Sequence, residues 1–309
     1  MSLANGDLTT LVRAQLWIPG SGSGANPLFS SIIIPDASRM IVNKLNRARL
    51  VVTSFTRTID GVGNYQIILP DYPVLGVTSV QMGSVLVNPL PLGNPNSSPP
   101  SPPFNLGGYA GYRVVPWAGN LPGDPSVLEM VGGVWYRGVQ NIKVSYTAGY
   151  GIQNEAQVIP ATPGPYTVTV SQPQGIWCKD NGVTFADGTA LTPVTTLTAT
   201  GQYIPPTDPP ATLTALGQYT FDSADQGKAV LISYSFVPSD LEMACIQMCA
   251  EMFSYRDRIG QMDKILGGQE TIRFLRGGMG RSAWGLPPEV EDRIWPYVSV
   301  IPPAIGAPL

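Results

Sequence analysis

The spacing of apolar residues along the chain changes period several times. Leu8, Leu11, Val12 and Leu16 recur at helical spacing behind Asp7, a capping residue, and Pro19 with GSGSG closes this first helix. In NPLFSSIIIPDASRMIVNKLNR the residues Ile33, Ala37, Met40, Ile41 and Leu45 share one helical face. Pro35 lies inside that pattern and has no amide hydrogen to give to a helix, so it marks a kink or the start of the firm part.

From Leu50 to Tyr150 the period falls to two. VVTSFTRTIDG, NYQIILP, VLGVTSVQMGS and VWYRGVQNIKVSYTAGY predict strands, and Asp60-Gly61-Val62-Gly63-Asn64 predicts a hairpin turn. Residues 88–125 are too rich in Pro and Gly for a packed element and predict a long surface excursion. Residues 151–236 contain no amphipathic helix. Thr, Val, Tyr and Phe alternate there between turns expected at Asn181-Gly182 and Asp187-Gly188, the pattern of a small barrel or sandwich.

Helical spacing returns at VPSDLEMACIQMCAEMF, where Ser239 and Glu242 have capping-box separation and Leu241, Ala244, Cys245, Met248 and Met252 make the buried stripe. QMDKILGGQETIRFL predicts a weaker helix, broken at Gly267-Gly268. A short acidic segment, EVEDRIW, then leads into a Pro-punctuated tail. Just before the long helix, AVLISYSF repeats the approach made by NIKVSYTAGY. Removing residues 151–236 would join that strand directly to the helix, the signature of an insertion whose two ends lie together. The organisation expected is therefore α+β: a helical core with a central antiparallel β-hairpin or sheet over 1–150 and 237–285, an inserted all-β domain over 151–236, and an extended docking tail over 286–309.

Composition narrows the functional classes. The 309-residue chain is only 13% charged, about half the usual ~25%, while Gly 34 and Pro 31 suit a turn-rich β protein. A net charge of -3 does not provide the clustered cations that neutralise phosphates, though DNA passing through a wide channel needs no adhesion. Cys178, Cys245 and Cys249 cannot frame a disulfide scaffold, and with His 0 a zinc site has no ligand set, which leaves core packing as their role. The start MSLANGDLTT lacks the features of a signal peptide, and no run of ~18 apolar residues occurs, so neither export by the usual route nor membrane spanning is expected.

Four features carry a resemblance: the two N-terminal helices with IIIPDASRMIVNKLNR, the central TRTIDGVGNYQIILPDYPVLGVTSVQMGS, the strand NIKVSYTAGY and the helix entry VPSDLEMACIQMCAEMFSYRDRIG. In this order they resemble the head-tail connector (adaptor) proteins of long-tailed bacteriophages. GVTFADGTALTPV with GQYTFDSADQGKAVLISYSF looks like a small β-domain grafted into various phage virion proteins. The resemblance implies a helical connector core and a homo-oligomeric, twelve-fold ring stacked on the portal protein. Genomic DNA would pass through the ring without specific binding, and the C-terminal segment would reach the portal. Such a protein sits at the head-tail junction of the virion, is assembled in the host cytoplasm, contacts tail or collar and neck proteins, and touches no membrane. The Pro-rich segment, the β-insert and the long tail depart from the family, so their contacts do not carry over. The alternative is a carbohydrate- or surface-binding β-module protein of a collar, decoration or fibre attachment, suggested by the Thr- and Tyr-rich insert.

Catalysis finds little support in the residues. The commonest acid/base, histidine, is absent. Asp71, Asp124, Asp180, Asp187, Asp222 and Asp225 lie in turn-rich stretches where carboxylates accept backbone N–H groups, and the glycine runs precede no P-loop lysine. No enzyme and no cofactor is expected. Trp284, Trp295, Tyr297, Ile301 and Leu309 stand in a tail without periodicity, where exposed apolar side chains would be an aggregation hazard, so docking onto a portal or adjacent subunit is expected of them. Lys264, Arg273 and Arg276, within a locally basic stretch that also holds Glu251, Asp263 and Glu270, are the candidate channel-facing cations.

Overall fold

A computed structural model of the chain describes residues 3, 6–18, 26–47, 49–89, 111–116, 126–207, 216–256, 263–266, 270–273 and 286–299. They form two compact units. One comprises Met1–Val51 with Tyr150–Val298, and the other Val52–Gly149 with Ser299–Leu309.

The smaller unit is a sandwich. Strands β1 (Thr53–Gly61), β3 (Val74–Met82), β4 (Val85–Val87) and β7 (Gly138–Ala148) form one sheet in the order β1-β7-β3-β4. Strands β2 (Gln66–Ile68), β5 (Gly111–Pro116) and β6 (Ser126–Val131) form the other, in the order β2-β6-β5. Side chains of both sheets meet in one core: Ile67, Tyr112, Leu128 and Met130 from one, Val80, Ile142, Val144 and Tyr146 from the other, around the buried Trp135. Two expectations change here. The Asp60–Asn64 turn does not make a hairpin, because β1 pairs with β7 and β2 with β6. Gly61 instead answers to a close approach, since a Cβ there would lie 1.8 Å from the Tyr136 carbonyl oxygen. The stretch 88–125 also contains a packed strand, β5, in register with β6 from Gly111 opposite Val131 to Pro116 opposite Ser126. The rest of the expected excursion, 90–110 and 117–125, lies outside the described residues.

The larger unit brings both ends of the chain together. Helix α1 (Leu11–Trp17) is capped by Thr10, whose side chain accepts from the Arg13 N–H. Helix α2 (Asn26–Leu28) passes through a π-helical turn, Phe29–Ile33, into α3 (Ile34–Leu45). The wider turn sits just before Pro35, with the Ile34 N–H donating to Phe29 O, so the proline enters at the first turn of α3, where its missing donor costs least. Ile33, Ala37, Ile41 and Leu45 are buried along the expected face.

The strands of this unit are β8 (Gly151–Val158), β9 (Thr167–Thr169), β10 (Gly175–Phe185), β11 (Thr192–Pro193), β12 (Gln202–Ile204), β13 (Gln218–Phe221) and β14 (Ala229–Pro238). They make the sheets β10-β14-β8 and β11-β12-β13-β9. Asp187-Gly188 forms the expected turn, with the Gly188 N–H donating to Phe185 O at 2.9 Å. Asn181-Gly182 does not turn the chain. It lies inside β10 as a bulge between the partners of Asp180 and Gly182, and Gly182 takes φ +115. Helix α4 (Ser239–Arg256) follows β14 without a break.

The helix expected over QMDKILGGQETIRFL is a β-hairpin, β15 (Asp263–Leu266) against β16 (Glu270–Arg273), paired from Asp263–Arg273 to Leu266–Glu270. The tail in turn contains α5 (Pro288–Ile294) and a 3-10 turn, Trp295–Tyr297. The expectation of a helical connector core is corrected: 42% of the described residues are in strands and 26% in helices, so sheets form most of the scaffold. A single apolar cluster holds Phe29, Ile41, Leu241 and Cys245 from helices together with Trp177, Tyr203, Tyr219 and Tyr234 from strands.

Within the described residues the two compact units divide at 51/52 and 149/150. Val51 and Tyr150 are bridge partners and the Tyr150 N–H donates to Leu50 O at 2.8 Å, so the chain leaves the larger unit and re-enters it at adjacent points. Strand β14 shows why no boundary lies at its end: Tyr234 to Pro238 are buried in succession as it runs into α4.

Candidate interaction surfaces

Several buried polar groups in each unit are arranged as networks. In β10 the bulge at Gly182 places the Asp180 carboxylate between two tyrosines: Oδ2 accepts from Tyr203 at 2.6 Å, and Oδ1 from Tyr219 at 3.1 Å and from the Gly182 N–H. The Tyr219 oxygen also accepts from Trp177 Nε1 at 3.1 Å. Burial, with Asp180 beside them, pushes both tyrosine hydroxyls far above their ordinary pKa. Glu155 on β8 accepts from Tyr234 at 2.7 Å, Gln157 at 2.7 Å and the Ser171 N–H at 2.8 Å. Burial alone would raise its pKa, but these three donors together lower it. In the smaller unit Arg57 binds Asp71 through two contacts of 2.8 and 3.0 Å, and Tyr146 donates to the same carboxylate at 2.6 Å.

Asp187 and Asp222 serve local backbone as expected, accepting from the N–H groups of Thr189 and Ala224, whereas Asp225 accepts from the Gly201 N–H, 24 residues away. Asp225 is fully buried and also takes Lys228 Nζ at 2.7 Å. Glu242 departs from its expected capping role. It is buried and receives Arg13 Nε, Arg13 Nη2 at 2.8 Å and Thr9 Oγ1 at 3.3 Å, which ties the N-terminal segment to α4. Burial pushes its pKa up, and Arg13 and Thr9 offset part of that rise. Such carboxylates hold structure together, since their acceptor sites are filled by neighbouring donors. Among the described residues no group of three or more potential metal ligands occurs.

The expected docking residues divide sharply. Tyr297 is buried, donating to Asp240 at 3.0 Å while its carbonyl accepts from Arg47 Nε at 2.6 Å, and its ring stands edge-on to Tyr150 at 5.9 Å. It is committed within the larger unit, alongside Leu286, Val290 and Ile294. Trp295, two residues earlier, is 62% exposed. Trp284, Ile301 and Leu309 lie outside the described residues, as does Arg276. Lys264 and Arg273 occupy opposite strands of the β15–β16 hairpin, opposite Ile272 and Asp263 respectively.

Sequence reasoning missed a second set of exposed apolar residues. Val62, Tyr65, Val134, Tyr136 and Val139 lie at one end of the sandwich, where β1 and β6 finish and β7 begins. The signal was the alternation Val134-Trp135-Tyr136, in which only the middle side chain is buried. No family model matches the chain, and no curated protein is significantly similar to it. Among the described residues no helix is long and apolar enough to cross a membrane.

Proposed function

We propose that the chain is a structural, non-enzymatic virion protein: an adaptor at the bacteriophage head-tail junction that bridges portal and tail as a ring of copies. The observation that carries this reading is the packing of the helical segments behind the resemblance, far apart in sequence, into one cluster. Phe29 lies 4.9 Å from Phe253, Ser38 Oγ meets Cys245 Sγ at 3.5 Å, and Glu242 holds Thr9 and Arg13. These helices are set among β-sheets, so the proposal assigns the adaptor role to a β-rich subunit. Exposed Trp295, Leu16 and Trp17 on the same unit are its candidate contacts with portal or neighbouring subunits. In this reading the hairpin bearing Lys264 and Arg273 is the candidate to face passing DNA, with no specific binding.

Electron microscopy of the purified chain, alone and mixed with its portal, tests the proposal. Annular particles, or density added at the narrow end of the portal, are the expected result. A monomer indifferent to portal would overturn it.

A further inference from the structure

The exposed apolar end of the smaller unit is held in place rather than loose. Asn141 Oδ1 accepts from the Gly61 N–H at 2.8 Å while its Nδ2 donates to Tyr136 O at 2.8 Å. The Gly63 N–H donates to Trp135 O at 2.9 Å, and the Trp135 N–H to Asn64 O at 2.8 Å. Gln140 adopts φ +49, a left-handed conformation disfavoured for its side chain, and its N–H donates to Asp60 Oδ1 at 2.6 Å. That kink interrupts the regular alternation of β7 directly beside Val139, which is 83% exposed. The β3–β4 hairpin adds exposed Val85 and Leu86 at the same end of the sheet, with the Gly83 N–H donating to Asn141 O.

Seven large apolar side chains on a pinned backbone would lose little entropy on docking. Their summed exposure is on the order of 700 Å², near the ~800 Å² each partner gives a standard interface. Charges nearby are of both signs, with Asp60 and Glu129 beside Arg113, Arg137 and Lys143, and Arg113 already pairs with Glu129 at 2.5 Å. A rim carrying both signs suits a surface that must complement itself, whereas a highly charged partner would call for a large excess of one sign.

We propose that this end of the sandwich is a two-fold self-association surface whose occupant is a second copy of the chain. The proposal does not depend on the adaptor reading. Sedimentation equilibrium of the full chain tests it, with Val139→Asp and Tyr136→Ser as variants and Val158→Asp, an exposed apolar position on the other unit, as control. Val139→Asp is expected to weaken association by about tenfold or more, because a carboxylate would be desolvated at the contact. If the chain also forms a larger ring through other surfaces, the variant should halve the number of copies and leave the ring itself intact. Val158→Asp should behave as wild type. Should Val139→Asp fail to fold by near-ultraviolet circular dichroism, Tyr136→Ser decides by the same criterion. A wild-type chain that is monomeric throughout, an unchanged mass in the variants, or equal losses in variant and control would overturn the proposal.

Discussion

Glu155 shows how a single residue couples the fold to pH. Its three donors depress its pKa in the folded state, so its contribution is present above the unfolded value of ~4.3 and is lost as pH falls through the lower folded value. Urea unfolding of Glu155→Gln between about pH 3 and 5 should therefore show a shallower pH dependence than wild type. An identical slope in the two proteins would mean that the network around Tyr234 carries no charge-dependent stability. Glu242 is linked in the opposite sense: its raised pKa favours the protonated form in the fold, so its share of stability declines as pH rises through its titration. The acidic residues at turns, Asp187 and Asp222, were legible from sequence because an Asx turn needs only nearby residues. The tyrosine partners of Asp180 were not, since Tyr203 and Tyr219 reach it from another sheet.

At the scale of elements, one helix was read well and another was not: α1 is capped by Thr10 rather than Asp7, and Leu16 of its expected stripe is exposed. Pro35 and the face from Ile33 to Leu45 are the best case. Strand existence was legible for most strands, β5, β15 and β16 excepted, but strand partnership was not: β1 could have paired with β2, and the choice of β7 rests on nonlocal packing of both sheets around Trp135. The same limit hid the junction of β10 with β14 and α4. A Cβ on Gly175 would sit 2.0 Å from the Val237 carbonyl oxygen, where only backbone can yield. Gly175→Ala should cost about 1–3 kcal/mol in urea unfolding, whereas Gly76→Ala, with open space around it, should stay within about 0.5 kcal/mol. Equal effects at the two positions would show that the β10 start is not in close contact with the β14–α4 junction. Helix α5 escaped notice although Val290 and Ile294 stand four apart behind Pro288, because seven residues give too short a window for a period to emerge.

For the whole molecule, the adjacent partners Val51 and Tyr150 make the 52–149 sandwich the removable part. Joining residue 51 to residue 150 through a short flexible linker should leave the larger unit folded, with cooperative unfolding by circular dichroism and its buried Trp177 still protected. Replacing 151–236 by a linker should abolish folding of that unit, since Trp177, Tyr203, Tyr219 and Tyr234 would leave the cluster that holds the helices. The reverse outcome of the pair would restore 151–236 as the independent insert. By itself the sequence determined the local features: helix faces, turn carboxylates, a β-rich composition and the absence of histidine, because each depends on residues within a turn or two or on simple counting. Only the tertiary structure decided which strands pair, where the chain divides, that Tyr297 is spent inside while Trp295 is exposed, and that apolar residues from three separate segments gather at one end of a sandwich. Those outcomes depend on contacts between residues tens of positions apart, which local periodicity does not encode.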